Sequence, residues 1–397
     1  MMKKTLRDID VAGKKVLVRV DFNVPMDGDL ITDTTRIEAS LPTINYLLEN
    51  GASVVLMSHL GRPKGEYKEE FSLAPVAKKL SELLKKDVKF VASKVVIDDE
   101  VKSEIKKLKT GEVALLENTR FVKGEEKLDY DFAKDLASLA DIYVNDAFGT
   151  SHRAHASNVG VAKYLPSAMG FLLEKEVEYL EGAVQNPDRP FVAILGGKKV
   201  SDKINVIANL LEKVDTLIVV GGMAYTFFKS MGLEIGDSIV EDDKLDLARE
   251  LMAKAVTNHV DFVLPDDVVM AKEIKAGVET KIVDRDEMEE GYMGLDIGPK
   301  TIANIKEKLE PARCVVWNGP CGVFEIPEFA NGTFEVAKTL ANLEGATTII
   351  GGGDSVAAIE KAGLKDKMTH ISTGGGASLE LLEGKVLPGI DCIEDKE

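Results

Sequence analysis

Cysteine, histidine and tryptophan are scarce in this chain: 397 residues hold three Cys, five His and one Trp. Cys314, Cys321 and Cys392 make no CxxC pair and lie near no histidine tract, which argues against a disulfide framework or a zinc site. Positive charge is in deficit too. Fifty Lys and Arg against 67 Asp and Glu leave a net charge of −17, so neither nucleic acid nor an anionic membrane is expected as the main partner. A small anion is not excluded, because screening lets a local basic cluster override the acidic background within about 8 Å. No apolar run reaches the length of a membrane span, and the start "MMKKTLRDIDVAGKK" has no apolar h-region, so a cytoplasmic protein is expected. Repeats of about 20–50 residues and low-complexity segments are also missing, which removes solenoid and linker readings.

What is present is ordinary globular material, 45% apolar and 29% charged, long enough for two domains. Short β-branched runs recur at 15–20, 53–57, 113–116 and 141–145, then at 191–195, 216–220, 261–264, 314–317 and 347–350. Stretches with apolar residues at helical spacing, such as 74–86 and 244–256, lie between them. Alternation of this kind is the pattern of βαβ units, and the near-continuous apolarity of the runs predicts parallel sheets covered on both faces. The expected fold is α/β: two doubly wound, Rossmann-like parallel-sheet domains joined by a connecting helix, with a cleft between them. The segment 167–190 reads as that helix, entered after Pro166 and Gly170 and left at Asn186-Pro187. The boundaries expected are 1–170 with a return segment 385–397, 171–187, and 188–384.

Ligands of open parallel sheets sit beyond the carboxyl ends of the strands. In the first half those ends carry Asp21 and Asn23, then His59, Arg62 and Lys64, then Arg120, then Asp146, His152, Arg153 and His155, while Arg36 opens a helix. Any one arginine reads as a surface charge. Several gathered at strand ends suit a phosphate or carboxylate, which guanidinium binds bidentately without losing its charge. The histidines are equally compatible with structural hydrogen bonding. In the second half the strands end in glycine: 196–203, 221–227, 318–325, 351–359 and, near the C-terminus, 372–382. Glycines between strand and helix let the backbone approach phosphate oxygens and aim helix amides at them, although tight βα turns also use glycine. The P-loop, the dinucleotide-binding GxGxxG and the protein-kinase signatures are all absent, so the nucleotide site would be of another kind. Asp354 reads either as a magnesium partner or as a helix N-terminal charge.

The motifs "RVDFNVP", "SHLGRP", "LENTRF", "NDAFGTSHRAHAS", "LGGKKVSDKI", "MGLDIGP", "WNGPCGVFE", "GGGDS" and "STGGGASLELLEGK" resemble, in order and separation, those of the phosphoglycerate kinase family. The resemblance covers nearly the whole chain. It implies a glycolytic enzyme that transfers the acyl phosphate of 1,3-bisphosphoglycerate to MgADP, giving 3-phosphoglycerate and ATP. It further implies that Asp21, Asn23, Arg36, His59, Arg62, Arg120 and Arg153 bind phosphoglycerate. Gly197, Lys199, Lys203, Gly222, Gly294, Asn318, Glu325, Gly352, Gly353, Asp354 and Ser355 would bind the nucleotide, with Asp354 toward Mg²⁺. Arg36, Lys199, Gly352 and Gly375 would act in catalysis. A monomer whose last residues return to the N-terminal domain is implied as well, with Gly170, Glu174, His370 and Thr373 as hinge candidates.

Two positions depart from that pattern. Cys321 stands where the family varies, and Lys198 stands where the family has Ala. Counting back from "VSDKI", Lys199 aligns with the family lysine, so Lys198 is expected to face solvent. A two-domain hinged binding protein would share the architecture but needs no lysines at the glycine turns, and a nicotinamide dehydrogenase would need the missing GxGxxG.

Overall fold

The computed structural model describes residues 2–397. It divides into two compact units, one of residues up to Glu178 together with Val386–Glu397, the other Tyr179–Lys385. The first is built on six parallel strands: β1 (Lys15–Arg19), β2 (Ser53–Met57), β3 (Val88–Val91), β4 (Val113–Leu116), β5 (Ile142–Asn145) and β6 (Ser167–Met169), in the order β3-β4-β2-β1-β5-β6. Alternate residues feed opposite cores. Val16, Val18, Val54 and Leu56 join one apolar cluster, and Leu17, Val55 and Met57 join the other. That is why these runs carry no polar face: each side of the pleat packs on helices.

The second unit repeats the plan with β7 (Phe191–Leu195), β8 (Thr216–Val219), β9 (Asp261–Val263), β13 (Cys314–Asn318), β14 (Thr347–Gly351) and β15 (His370–Ile371), in the order β9-β8-β7-β13-β14-β15. Between β9 and β13 lies an antiparallel sheet that the periodicity does not announce, β10 (Asp267–Ala271), β11 (Lys281–Asp284) and β12 (Met293–Ile297), ordered β11-β10-β12. Each of its strands carries an aspartate and charged residues separate them, so neither a continuous apolar run nor a clean alternation registers. The edge strands β3, β6 and β15 also escape the pattern, being four, three and two residues long. In particular, Ser167–Met169, read above as the approach to the connecting helix, pairs with β5 as a strand. The helix itself is Phe171–Gln185.

Register decides where the chemistry goes. Arg19 pairs with both Met57 and Asn145, and the ladder continues as the Val20 amide donates to the Met57 carbonyl (3.0 Å) and the Asp146 amide to the Arg19 carbonyl (2.9 Å). The segments after β1, β2 and β5 therefore leave the sheet at one edge. In the second unit Leu195 pairs with Val219 and Asn318, and Asn318 with Gly351, so the glycine turns likewise share an edge. The C-terminal segment belongs to the first unit, where the Lys4 amide donates to the Glu394 carbonyl and the Gly389 amide to the Ser151 carbonyl, each at 2.8 Å.

Trp317, the largest fully buried side chain, fills the core of the second unit and donates its Nε1–H to the Gly319 carbonyl at 2.7 Å. Trp317→Ala is expected to lower the unfolding free energy of that unit by about 3–5 kcal/mol, read by denaturant titration.

Candidate active site

At the strand ends of the first unit, cations outnumber their hydrogen-bonded counter-charges. Arg36, in the first turn of the Thr35–Glu49 helix, donates from Nη1 to Asp21 Oδ1 (3.2 Å) and to the Asn23 carbonyl (2.9 Å). Asn23 Oδ1 accepts from the Gly61 amide (2.8 Å), and the Gly61 carbonyl accepts from Arg120 Nη1 (2.9 Å), which stitches three strand ends together. Arg120 is buried and pairs with Glu126 only at 3.6 Å, leaving its Nε without a hydrogen-bond partner. Burial accordingly lowers its pKa, with Arg19 and Arg153 adding repulsion. His59 is buried and held well below its usual pKa, first by desolvation and then by Arg19, Arg120, Arg36 and His155, so it is neutral at pH 7. Arg153 is exposed and donates from Nε to His152 Nε2 (3.3 Å). Arg62, on the exposed loop after His59, makes no ion pair among the described residues.

The sequence reading missed the cation beneath this group. Arg19, the last residue of β1, is 1% exposed, and its hydrogen-bond partners are all neutral: Ser157 Oγ (2.8 Å), His59 Nδ1 (3.0 Å) and the Val20 carbonyl. A lone arginine in the otherwise apolar run "KVLVRV" was the available signal. His59 must present an unprotonated Nδ1 to Arg19, which leaves its Nε2–H as a donor. Glu125, also missed, is fully buried and accepts from the Ser157 amide (2.8 Å).

In the second unit, backbone replaces side chains. A Cβ on Gly196 would sit 2.1 Å from the Pro320 carbonyl oxygen, so only glycine lets these two turns touch. Gly197 accepts at its carbonyl from the Met223 amide (2.9 Å), and Gly222 abuts the backbone of Lys198. Lys203 is buried; its Nζ donates to Asn318 Oδ1 and to the Asn318 carbonyl (3.2 Å). Burial pulls it down to about 8, against the opposing pull of Asp202 and Asp354. Gly352 lies against the Asn318 side chain, and Ser355 Oγ accepts from the Gly319 amide (2.7 Å). Gly352 and Gly375, both at positive φ, precede the helices Gly353–Lys361 and Gly376–Leu382 and turn their first amides out of the backbone run. Gly294 packs on the buried ring of Tyr225. Lys198, Lys199, Glu325, Gly353 and Asp354 are exposed. Among the described residues no three His, Cys, Asp or Glu form a group that could hold a metal ion.

One sheet edge gathers arginines, two of them buried, and another gathers glycine turns and helix N-termini around a buried lysine pulled down to about 8, an arrangement suited to phosphorylated ligands in a two-unit α/β protein. Comparison with known proteins agrees. The family model described as Phosphoglycerate kinase matches residues 6–385. Phosphoglycerate kinases of Finegoldia magna and Thermosipho africanus are 60% and 59% identical, over 100% of this chain and 100% and 99% of theirs. The solved phosphoglycerate kinase of Coxiella burnetii superposes with a TM-score of 0.91 at 43% identity, covering 98% of each chain. The chain belongs to the phosphoglycerate kinase family, whose members carry out the glycolytic phosphoryl transfer between 1,3-bisphosphoglycerate and ADP.

The buried histidines make the first unit acid-sensitive. His155 is pulled down to about 4, mainly by burial, so the unfolded chain, with its ordinary value near 6.5, binds the extra proton in between. The stability gained by keeping it neutral is complete above the unfolded value and is lost as pH falls toward 4. His155→Gln is expected to flatten that part of the stability-versus-pH curve relative to wild type, measured by urea titration between the two values.

Proposed function

We propose that the two groups of residues are the halves of one reaction site, with phosphoglycerate held by Asp21, Asn23, Arg36, His59, Arg62, Arg120 and Arg153 and the nucleotide by Gly197, Lys199, Lys203, Gly222, Gly294, Asn318, Glu325 and Gly352 through Ser355. The observation that carries this reading is that five arginines gather at the first edge with Asp21 as their one hydrogen-bonded carboxylate among the described residues, the buried Arg19 and Arg120 donating to neutral groups, together with Lys203 at the second. In the ATP-consuming direction the nucleophile is a carboxylate, ionised at neutral pH, so no general base is needed. In-line positioning and cationic stabilisation of the transferring oxygens are what remains. Arg36 from the first unit and Lys199 from the second supply that charge, while the amides after Gly352 and Gly375 face the oxygens that gain charge.

Asp354, exposed and within the field of Lys203, suits Mg²⁺ brought in on the nucleotide phosphates, since such a cation is held by one carboxylate plus phosphate oxygens. When bound it supplies further positive charge at the phosphates. The reaction follows a closure that unites the halves and excludes water from the acyl phosphate, with Gly170, Glu174, His370 and Thr373 at the hinge. Because both halves belong to one polypeptide, a monomer suffices. No helix among the described residues is long and apolar enough to cross a membrane, and the three cysteines are free, which suits the cytoplasm.

Arg36→Ala is expected to lower kcat by roughly 10² while the dissociation constant for 3-phosphoglycerate changes far less, the signature of a contact made in the transition state. Equal losses in both would assign Arg36 to ground-state binding. Lys199→Ala is expected to cost roughly 10² to 10³ in kcat, and Lys198→Ala only a few-fold, in a coupled assay with ATP and 3-phosphoglycerate. The reverse ranking would move the catalytic cation to Lys198.

A further inference from the structure

The start of the connecting helix is held by groups that share elements with the proposed phosphoglycerate arginines. Asp146, fully buried directly after β5, accepts at Oδ1 from the amides of Leu172 (2.9 Å) and Leu173 (3.3 Å), in the first turn of the Phe171–Gln185 helix. Thr43 Oγ1 accepts from the Phe171 amide (3.0 Å). Gly170 closes the approach: its amide donates to the Asn145 carbonyl (2.8 Å), and a Cβ there would lie 2.1 Å from Asp146 Oδ1. The aromatic and charged contacts of Phe171 and Glu174 reinforce the grip. Phe171 meets Tyr46 edge-on at 4.9 Å and lies under the Arg7 guanidinium at 4.6 Å, and Arg7 pairs with Glu174 at 2.8 Å.

Two of these anchors share a chain segment with the anion site, one a helix and the other a hydrogen-bonded loop. Thr43 is seven residues, close to two full turns, from Arg36 on the Thr35–Glu49 helix, so the two side chains lie on one face. Asp146 opens the segment that runs to Arg153. Burial pushes the Asp146 carboxyl up to about 7, while Thr43 and the two helix amides hold it down, and its Oδ2 has no hydrogen-bond partner. A side chain buried at that cost, with half its acceptor capacity unused, is spent on the helix terminus rather than on packing.

We propose that Asp146 is a positioning residue which, with Thr43 and Gly170, forms the joint that carries occupancy of the phosphoglycerate arginines into the first turn of the connecting helix. An anion drawn onto Arg36 and Arg153 moves the same two elements that grip the helix. This rests on the closure reading above and names the residues through which binding would drive it.

The test combines kinetics, binding of each ligand alone, and small-angle scattering on the full chain. Asp146→Ala removes the acceptor and is expected to lower kcat about tenfold or more, with the dissociation constants for 3-phosphoglycerate alone and MgADP alone within about twofold of wild type. Asp146→Asn keeps the Oδ1 acceptor and puts its NH₂ where Oδ2 has no partner, and is expected to restore most of the lost rate. Thr43→Val should reproduce part of the loss. In the presence of both ligands wild type and Asp146→Asn should contract, and Asp146→Ala should contract less. Wild-type kcat and contraction in Asp146→Ala, losses that appear equally in single-ligand binding, or an Asn variant no better than Ala would each overturn the joint while leaving closure standing. A wild-type protein that does not contract with both ligands would overturn closure and the joint together.

Discussion

Buried cations whose hydrogen bonds all go to neutral groups are the constraint on which this structure turns. Arg19 meets only neutral hydrogen-bond partners, Arg120 keeps an unspent donor, and Lys203 leans on a side-chain amide and a carbonyl. A folded chain tolerates such groups only where surrounding structure over-determines them, because each costs desolvation that a salt bridge would have offset. The parallel sheets provide that support. In-register strand ends bring residues far apart in the chain to one edge, and apolar clusters on both faces fix the edge in place. On the proposed reading an arriving phosphate or carboxylate would supply counter-charge to these groups, so ligand binding and relief of electrostatic strain would be the same event.

The two units solve the anion problem with different chemistry, and the difference fits the ligands of the family. A small, multiply charged acid is matched by discrete guanidinium forks, which fix orientation as well as charge. A nucleotide chain of phosphates is better matched by backbone amides and helix N-termini, which need glycine for close approach. Gly196 against Pro320 and Gly352 against Asn318 show that approach already made between neighbouring turns. His59 is kept neutral by burial and then by its cationic neighbours, so it contributes a donor rather than a charge.

Much of this was legible in the letters. The β-branched runs marked the central strands of both parallel sheets, because a strand covered on both faces has no polar side to hide among. Arginines and glycines stood out because they follow the carboxyl ends of the strands, where open parallel sheets place their ligands. The small antiparallel sheet was not legible, since "DVVMA", "KIVD" and "MGLDI" each carry an aspartate inside the run and show neither continuous apolarity nor clean alternation. Nor were Arg19 and Asp296, whose meaning lies in burial, nor the hold of Asp146, noted at its strand end, on the connecting helix. Asp296 looks like any surface carboxylate in sequence, yet it accepts from the Gly332 and Ile297 amides, and burial pushes it up to about 7. Periodicity reports which face a residue lies on. It does not report which tertiary partner waits there.

The claim that these cations await an anion is tested most directly at Lys203. A ¹³C-labelled lysine spectrum, assigned by comparison with Lys203→Arg, follows its ammonium through a pH titration with and without MgADP. The account predicts a midpoint of about 8 in the free protein, moving clearly upward when MgADP binds and staying put with 3-phosphoglycerate alone. A free-protein midpoint at the ordinary lysine value of 10.5, or one that MgADP leaves unchanged, would contradict it.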